Sequence, residues 1–186
     1  KPSDRIGMLR ETVEIVKSMW TQAETTYDGK YYTMLRGNCD PKPLQKPHPP
    51  IWIGGGGEQL TLRVVARYAD CSNFGGSPEE FARKREILKG HCLAVGRDES
   101  EIRKTWSPDI FIRRTEKEIK AAGSLSLRAD PFDDWQKNNL VGTVEQVSEK
   151  VQKYIDLGCS GFIPWCADYP STETVELFAE VMKNFR

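Results

Sequence analysis

The first apolar stripe along the chain predicts an amphipathic helix. Apolar residues recur at three- and four-residue steps from Ile6 to Trp20, which is the spacing of one buried helix face. Ser3 precedes them and can accept hydrogen bonds from the first backbone N–H groups of a helix. The pattern therefore predicts a helix over about residues 4–20.

The residues after this helix predict a small excursion rather than a further domain. Two short β-prone runs within residues 25–32 flank Asp28–Gly29, a dipeptide typical of a tight hairpin turn. Five of the eleven residues in 40–50 are proline, so that stretch is expected to be extended and non-helical. We assign residues 21–50 to a hairpin and a proline-rich connection.

Beyond residue 50, short apolar runs alternate with amphipathic helices. Strands are predicted near residues 51–53, 71–74, 109–113 and 160–165. This alternation is typical of a parallel α/β sheet with right-handed crossovers. Residues 115–141 mix charges with glycine and proline and show no clear period, so we interpret them as a mobile excursion or lid.

Composition narrows the class of partner. The 27 Lys and Arg residues balance the 27 Asp and Glu residues, so nothing in the charge calls for nucleic acid or an anionic membrane. No apolar stretch approaches the roughly 20 residues that span a bilayer, and no signal-peptide pattern is present. We expect a soluble, cytoplasmic protein with a small-molecule substrate, and neither nucleic acid nor membrane as a partner.

The cysteines and histidines do not indicate a disulfide framework or a metal site. Five cysteines form an odd set without a C-x-x-C pair, and we interpret them as reduced, mostly buried thiols. His48 lies in the proline run and His91 lies within a predicted helix, so both are interpreted as structural. Two histidines are too few for a histidine-rich metal site.

The candidate chemistry lies in two glycine-rich loops that follow predicted strands. Because the C-terminal ends of parallel strands form the ligand face, the backbone N–H groups of both loops are expected to converge on one phosphate. A tight turn is the alternative for either loop. The first loop is not a Walker A motif, and Gln59 stands where a dinucleotide fingerprint has Gly or Ala. The candidate cofactor-binding residues are Gly54, Gly55, Gly56, Gly57, Asn73, Phe74, Gly75, Gly76 and Ser77.

Other candidate residues have equally ordinary alternatives. Trp106 and Trp165, near strand ends, can flank a planar ring or belong to the core. Arg113 and Arg114 can contact a phosphate or an acidic cofactor tail, or form a solvated strand end. No Ser-His-Asp or Cys-His set can be assembled, so no catalytic residue is assigned.

Several motifs together resemble the luciferase-like monooxygenase superfamily, and within it the branch of probable deazaflavin (coenzyme F-420) dependent oxidoreductases. The matching stretches are residues 39–43, 49–58, 62–70, 73–81, 95–98, 141–147 and 158–162. The resemblance implies an α/β fold in which residues 1–186 form one domain, the C-terminal half of a (β/α)8 TIM barrel of the bacterial-luciferase-like type. It also implies that the two glycine loops hold the phosphate of coenzyme F-420 or of flavin mononucleotide (FMN).

The activity that the resemblance implies is hydride transfer, or monooxygenation where the cofactor is FMN. Two alternatives stay open: a non-catalytic half-barrel that binds an anion or a partner chain, and another phosphate-binding barrel such as an aldolase or isomerase. The chain begins at Lys1 and is shorter than the about 250 residues of a full barrel, so we expect a missing N-terminal half-barrel. Without that half, Ile51, Ile53, Phe111 and Ile163 are expected to lose their covering wall, which favours self-association.

Overall fold

The computed structural model describes residues 1–185, which divide into two compact units. The first unit comprises residues 1–72 and 87–102, and the second comprises residues 73–86 and the chain from residue 103 onward. Each unit combines helices with short strands. From the N-terminus to residue 94 the elements are α1 (Pro2–Thr21), β1 (Thr25–Asp28), β2 (Thr33–Gly37), β3 (Trp52–Gly54), α2 (Thr61–Tyr68), β4 (Cys71–Asn73) and α3 (Pro78–Ala94).

The β1–β2 hairpin has a longer turn than the sequence predicts, because a buried carboxylate organises it. Glu11 of α1 is fully buried and accepts hydrogen bonds from the backbone N–H groups of Lys30, Tyr31 and Tyr32 at 3.0, 2.9 and 3.1 Å. Three converging donors satisfy an anion that would otherwise be costly to bury. Residues 29–32 therefore form the loop, and the two strands pair antiparallel on either side of it.

Burial alternates along the chain at β3. Ile51 and Ile53 are 8% and 3% exposed, whereas Trp52 between them is 48% exposed. Successive side chains of a strand point to opposite faces, so the two isoleucines lie on the covered face. The expectation that Ile51, Ile53 and Phe111 lose a covering wall is wrong, since Phe111 is also only 1% exposed. Ile163, at 43% exposed, does lack such cover.

The remaining α-helices and strands of the chain lie in the second unit. They are β5 (Arg103–Trp106), β6 (Asp109–Ile112), α4 (Glu116–Ala122), α5 (Phe132–Asn138), β7 (Leu140–Gly142), α6 (Val144–Asp156), β8 (Cys159–Phe162), β9 (Trp165–Cys166) and α7 (Glu173–Lys183). Strand β5 pairs with β8, and β6 pairs with both β7 and β9, in each case parallel. The predicted parallel α/β class is therefore confirmed.

Two further backbone hydrogen bonds lie between the pairing of β5 with β8 and that of β6 with β9, although the two pairings belong to different sheets. Between the two pairs, the N–H groups of Ile163 and Trp165 donate to the carbonyl oxygens of Trp106 and Pro108 at 2.8 and 2.9 Å. Alternate residues supply the donors, so Pro164, which has no N–H, falls where no donor is needed. The predicted strand at residues 160–165 is thus two strands, β8 and β9, which are separated by Ile163 and Pro164.

Two strands of the second unit are missing from the sequence-based prediction. The prediction near residues 109–113 omits β5, whose first two residues, Arg103 and Lys104, are charged. Strand β7 has three residues, too few to show a period, and it directly precedes the capping box of Thr143 and Gln146. Both strands lie against neighbours that are distant in sequence, which periodicity does not detect.

Residues 115–141, predicted to be an excursion, contain the helices α4 and α5. Ile119 and Trp135 are fully buried and pack together with Phe111 and Val141. The indole Nε1 of Trp135 donates to Asp109 Oδ2 at 2.8 Å. Each helix has one fully buried residue and therefore no apolar stripe. The mobility of this segment stays a prediction.

The five cysteines are all free thiols in the part of the chain that the structure describes, and Cys71, Cys92 and Cys159 are buried. Among residues 1–185, no helix combines the length and the apolar character needed to cross a membrane.

Candidate functional site

The first glycine loop, residues 54–57, has a backbone that other residues would strain or obstruct. Gly55 has a φ of +117°, a conformation that side chains rarely adopt. A Cβ on Gly57 would lie 2.7 Å from Thr61 Oγ1. A Cβ on Gly54, by contrast, would meet no atom within 4 Å, so open space borders the start of the loop.

The loop leads to an uncapped helix start. Helix α2 begins at Thr61, four residues after the loop, and its N-cap residue, Leu60, offers no side-chain hydrogen bond. Gly57 partly replaces the cap, since its carbonyl accepts the Leu62 N–H at 3.0 Å. The positive end of the helix dipole therefore faces the surroundings of the loop, where it favours an anion.

A cleft of about 700 Å³ lies over this helix start. Its lining combines the N-terminal turn of α1 with the loop: Pro2, Arg5, Ile6, Gly56, Gly57, Glu58, Gln59, Leu60 and Thr61. Arg5 is exposed and forms no ion pair within residues 1–185. The side chains thus contribute one guanidinium and one carboxylate, which leaves the backbone donors as the feature that selects an anion.

The two histidines serve as local supports in the first unit. His91 Nε2 lies 2.8 Å from the Glu58 carbonyl oxygen, so α3 holds the end of the glycine loop. His48 Nδ1 lies 2.9 Å from the Pro49 carbonyl oxygen. Both contacts agree with the structural interpretation drawn from the sequence.

The second loop, residues 73–77, is anchored at its beginning. The side-chain amide of Asn73 contacts the hydroxyls of Thr105 and Ser107 at 3.0 to 3.3 Å. Phe74 is 2% exposed, and its N–H donates to the Thr105 carbonyl at 3.2 Å. Asn73 and Phe74 therefore fix the loop to β5, and their contribution to a ligand stays a prediction.

Ser77 and Glu80 form a capping box at the end of this loop, and the box occupies the Ser77 N–H. The Ser77 N–H donates to Glu80 Oε2 at 3.1 Å, and the Ser77 hydroxyl accepts from the Glu80 N–H at 3.3 Å. The Ser77 hydroxyl also helps, after the N–H of Glu79 itself, to lower the pKa of the Glu79 carboxyl. The Ser77 N–H is therefore not available to an anion at this loop.

The carbonyl oxygens of the two glycines point into the second unit. Lys84 Nζ donates to the Gly75 carbonyl at 2.6 Å, and the Tyr154 hydroxyl donates to the Gly76 carbonyl at 2.7 Å. Gly76 has a φ of +129°. Sequence reasoning missed both side chains: Lys84 lies two helical turns after Ser77, which is a detectable spacing, whereas nothing local signals Tyr154.

The two tryptophan candidates differ in burial, and both arginine candidates form ion pairs. Trp106 is 3% exposed and stacks on Tyr154 with ring centroids 3.7 Å apart, so it is a core residue, whereas Trp165 is 61% exposed. Arg113 is held by Asp168 and Glu173, with N···O distances of 3.0 and 3.2 Å. Arg114 pairs with Glu180 at 2.9 Å, so neither arginine is free for a phosphate.

Comparison with known proteins identifies related chains. A sequence profile for luciferase-like monooxygenases matches residues 1–128. An FMNH(2)-dependent dimethylsulfone monooxygenase of Pseudomonas putida is 25% identical over 197 residues, which cover 86% of this chain and 54% of that protein. An F420-dependent glucose-6-phosphate dehydrogenase of Segniliparus rotundus is 24% identical over 94% of this chain and 59% of its own length. The chain thus spans a little over half the length of these relatives.

Solved structures with low sequence identity to this chain share its fold. The coenzyme F420 dependent tetrahydromethanopterin reductase of Methanopyrus kandleri superposes with a TM-score of 0.78 at 16% identity. The match covers 97% of this chain and 64% of that one.

Proposed function

Because the chain belongs to the luciferase-like monooxygenase family, we propose that it is part of a flavin- or F420-dependent oxidoreductase that acts on a small molecule. Its fold is that of the C-terminal half of a (β/α)8 barrel of this family. Relatives of the chain include flavin- or F420-dependent monooxygenases and dehydrogenases.

The observation that carries the proposal is the uncapped start of α2 beneath the cleft of Arg5 and the first glycine loop. The N–H groups of residues 55–57 and the first turn of α2 would hold a cofactor phosphate, with Arg5 as a cation at the rim. The Gly75 and Gly76 N–H groups of the second loop are further donors of the same kind. The open space at Gly54 leaves room for a bound group beside the loop.

In this proposal the cofactor and the protein have different roles. The flavin or deazaflavin ring supplies hydride exchange when bound, and FMN also supplies oxygen activation. The residues of this chain bind the phosphate and thereby orient the ring. A non-catalytic module that binds an anion without turnover is the second candidate, because the loops suit an anion whether or not a reaction follows.

Substitution of Gly54 tests the proposed site without disturbing the fold. A Cβ at Gly54 meets no protein atom within 4 Å, so Gly54→Ala is expected to fold normally, and any loss of affinity reports the bound molecule. We expect FMN or coenzyme F-420 to bind the wild-type chain and Gly54→Ala to weaken that binding about tenfold, equivalent to about 1.4 kcal/mol. Quenching of cofactor fluorescence measures the dissociation constants.

Gly90→Ala is the matched control, since a Cβ there also meets nothing within 4 Å and the residue lies in α3, outside the loops. Equal affinity of all three proteins would refute the site. Binding of both cofactors and of inorganic phosphate without hydride transfer would favour the non-catalytic module. Absence of cofactor binding by a folded wild-type chain would refute the proposal itself.

A further inference from the structure

We propose that Lys84 and Tyr154 are positioning residues that fix two consecutive peptides, Gly75–Gly76 by Lys84 and Gly76–Ser77 by Tyr154, so that the Gly76 N–H between the two contacts is presented to an anion. The inference rests on the proposed function, which supplies the anion as a cofactor phosphate. It is carried by hydrogen bonds within the second unit and assigns a role to two side chains that the glycine motif does not contain.

The two contacts act on consecutive carbonyl groups. Lys84 Nζ lies 2.6 Å from the Gly75 oxygen, and the Tyr154 hydroxyl lies 2.7 Å from the Gly76 oxygen. The first contact is charge-assisted and therefore stronger than a bond between neutral groups. Because glycine has the widest conformational freedom of any residue, two adjacent glycines need such external contacts to keep one orientation.

Because a peptide group is planar, a hydrogen bond to its carbonyl oxygen also fixes the direction of its N–H group. In a trans peptide the C=O and the N–H of the same unit point in opposite directions. The Gly75 carbonyl shares its plane with the Gly76 N–H, so Lys84 turns that N–H away from α3. The Gly76 carbonyl shares its plane with the Ser77 N–H, which donates to Glu80. The Gly76 N–H is thus oriented but forms no hydrogen bond within residues 1–185.

The Tyr154 hydroxyl is a fixed donor. Its ring stacks on Trp106 at 3.7 Å and meets the edge of Phe81 at 5.5 Å, and the residue is 3% exposed. Burial raises the pKa of Tyr154, which keeps the hydroxyl protonated across the neutral range. Because aromatic contacts fix the ring, removal of the hydroxyl alone leaves the packing in place.

A second lysine near the loop allows the effect of the Lys84 hydrogen bond to be distinguished from the effect of its charge. Lys153 on α6 is 58% exposed and pairs with Glu79 at 3.7 Å, without a contact to either glycine carbonyl. Lys84 and Lys153 therefore carry the same charge near the same helix start, yet only Lys84 bonds to the loop. Tyr154→Phe provides a second separation, because it deletes a hydrogen bond and changes no charge.

The experiment compares Lys84→Met, Tyr154→Phe, Lys84→Arg and Lys153→Met with the wild-type chain. FMN, coenzyme F-420 and inorganic phosphate are titrated against each protein, and the ¹⁵N–¹H signal of Gly76 is followed by NMR. We expect Lys84→Met and Tyr154→Phe to shift the Gly76 signal in the unbound protein and to weaken binding about five- to tenfold. Lys153→Met is expected to leave the Gly76 signal unchanged and to change the affinity by less than about twofold.

Lys84→Arg keeps a charged donor and is expected to restore both the signal and most of the affinity. Unchanged Gly76 signals and unchanged affinities in Lys84→Met and Tyr154→Phe would overturn the inference. A wild-type chain that binds none of the three probes would refute the proposed function, while the Gly76 signals would still decide whether the two side chains orient the loop. An equal loss in Lys153→Met would reduce the effect of Lys84 to charge alone and would also overturn the inference.

Discussion

At the scale of single residues, Lys150 places a positive charge in a largely buried position. Its Nζ donates to the backbone carbonyls of Gln136, Asn139 and Val141, and so joins the end of α5 to β7. Burial lowers the pKa of Lys150 from 10.5 to about 8, with Glu116 opposing the shift. The ammonium group therefore links two elements but loses much of its hydration.

This burial predicts that stability rises with pH above about 8. Between the folded pKa of about 8 and the ordinary value of 10.5, the unfolded chain binds more protons than the folded one. The free energy of unfolding therefore increases through that window, by about 3 kcal/mol, and Lys150 contributes no pH dependence at lower pH. Urea denaturation at pH 7 and pH 10, compared with Lys150→Met, isolates this contribution. A wild-type minus variant difference that does not change with pH would contradict it.

Which site residues the sequence predicts depends on how local their contacts are. The Ser77–Glu80 box joins residues three positions apart, so residue type and spacing predict it. Lys84 and Tyr154 reach the second loop through folding, across 9 and 78 residues. Such contacts leave no periodic signal in one sequence, and a composition-based argument does not find them.

At the scale of elements, the helices of the 115–141 segment form part of the second unit's core. Trp135 is fully buried, and its indole bonds to Asp109, so it anchors α5 as Ile119 anchors α4. The sequence suggested a lid because charged residues surround this anchor. The difference arises because a single buried aromatic residue in a seven-residue helix stabilises packing without producing an apolar stripe.

Removal of this anchor is expected to release the segment. Trp135→Ala should lower the free energy of unfolding by about 3–5 kcal/mol, through lost burial and a cavity, and should speed tryptic cleavage within residues 115–141. Leu127→Ala is the control in the same segment, because Leu127 is 74% exposed. If Trp135→Ala retained the protection of the wild-type chain, α5 would not depend on this contact.

For the strands, too, local sequence patterns predict some features, whereas features that depend on residues distant in sequence are missed. Alternation along the chain correctly predicts parallel α/β structure, because each helix carries its own boundary signals. It does not predict β7, whose three residues are defined by pairing with β6. The hydrogen bonds on either side of Pro164, from the N–H groups of Ile163 and Trp165, likewise join residues that are distant in sequence.

At the scale of the whole molecule, exposed apolar side chains predict association. Trp52, Ile163 and Trp165 are 48%, 43% and 61% exposed, and each lies on or next to a strand. Large apolar residues on an open sheet favour contact with another surface. We expect the mass of the purified 186-residue chain, measured by sedimentation velocity, to increase with concentration.

Trp165 is the most exposed of these residues, so Trp165→Ser is expected to reduce this association. Leu44→Ser serves as the control, because Leu44 is 94% exposed but lies outside the helices and strands. A monomer at all concentrations would show that these side chains do not drive assembly.

The buried carboxylate of Glu11 has a consequence for how this family member can vary. Besides the Arg10 guanidinium at 3.5 Å, its partners are three backbone N–H groups, which every amino acid except proline provides. Residues 30–32 are therefore free to change their side chains over evolutionary time without loss of these bonds. Position 11 has no such freedom, because its acceptor is the side chain itself. A collection of natural variants should accordingly show an acidic residue at position 11 facing a loop of diverse, proline-free sequence.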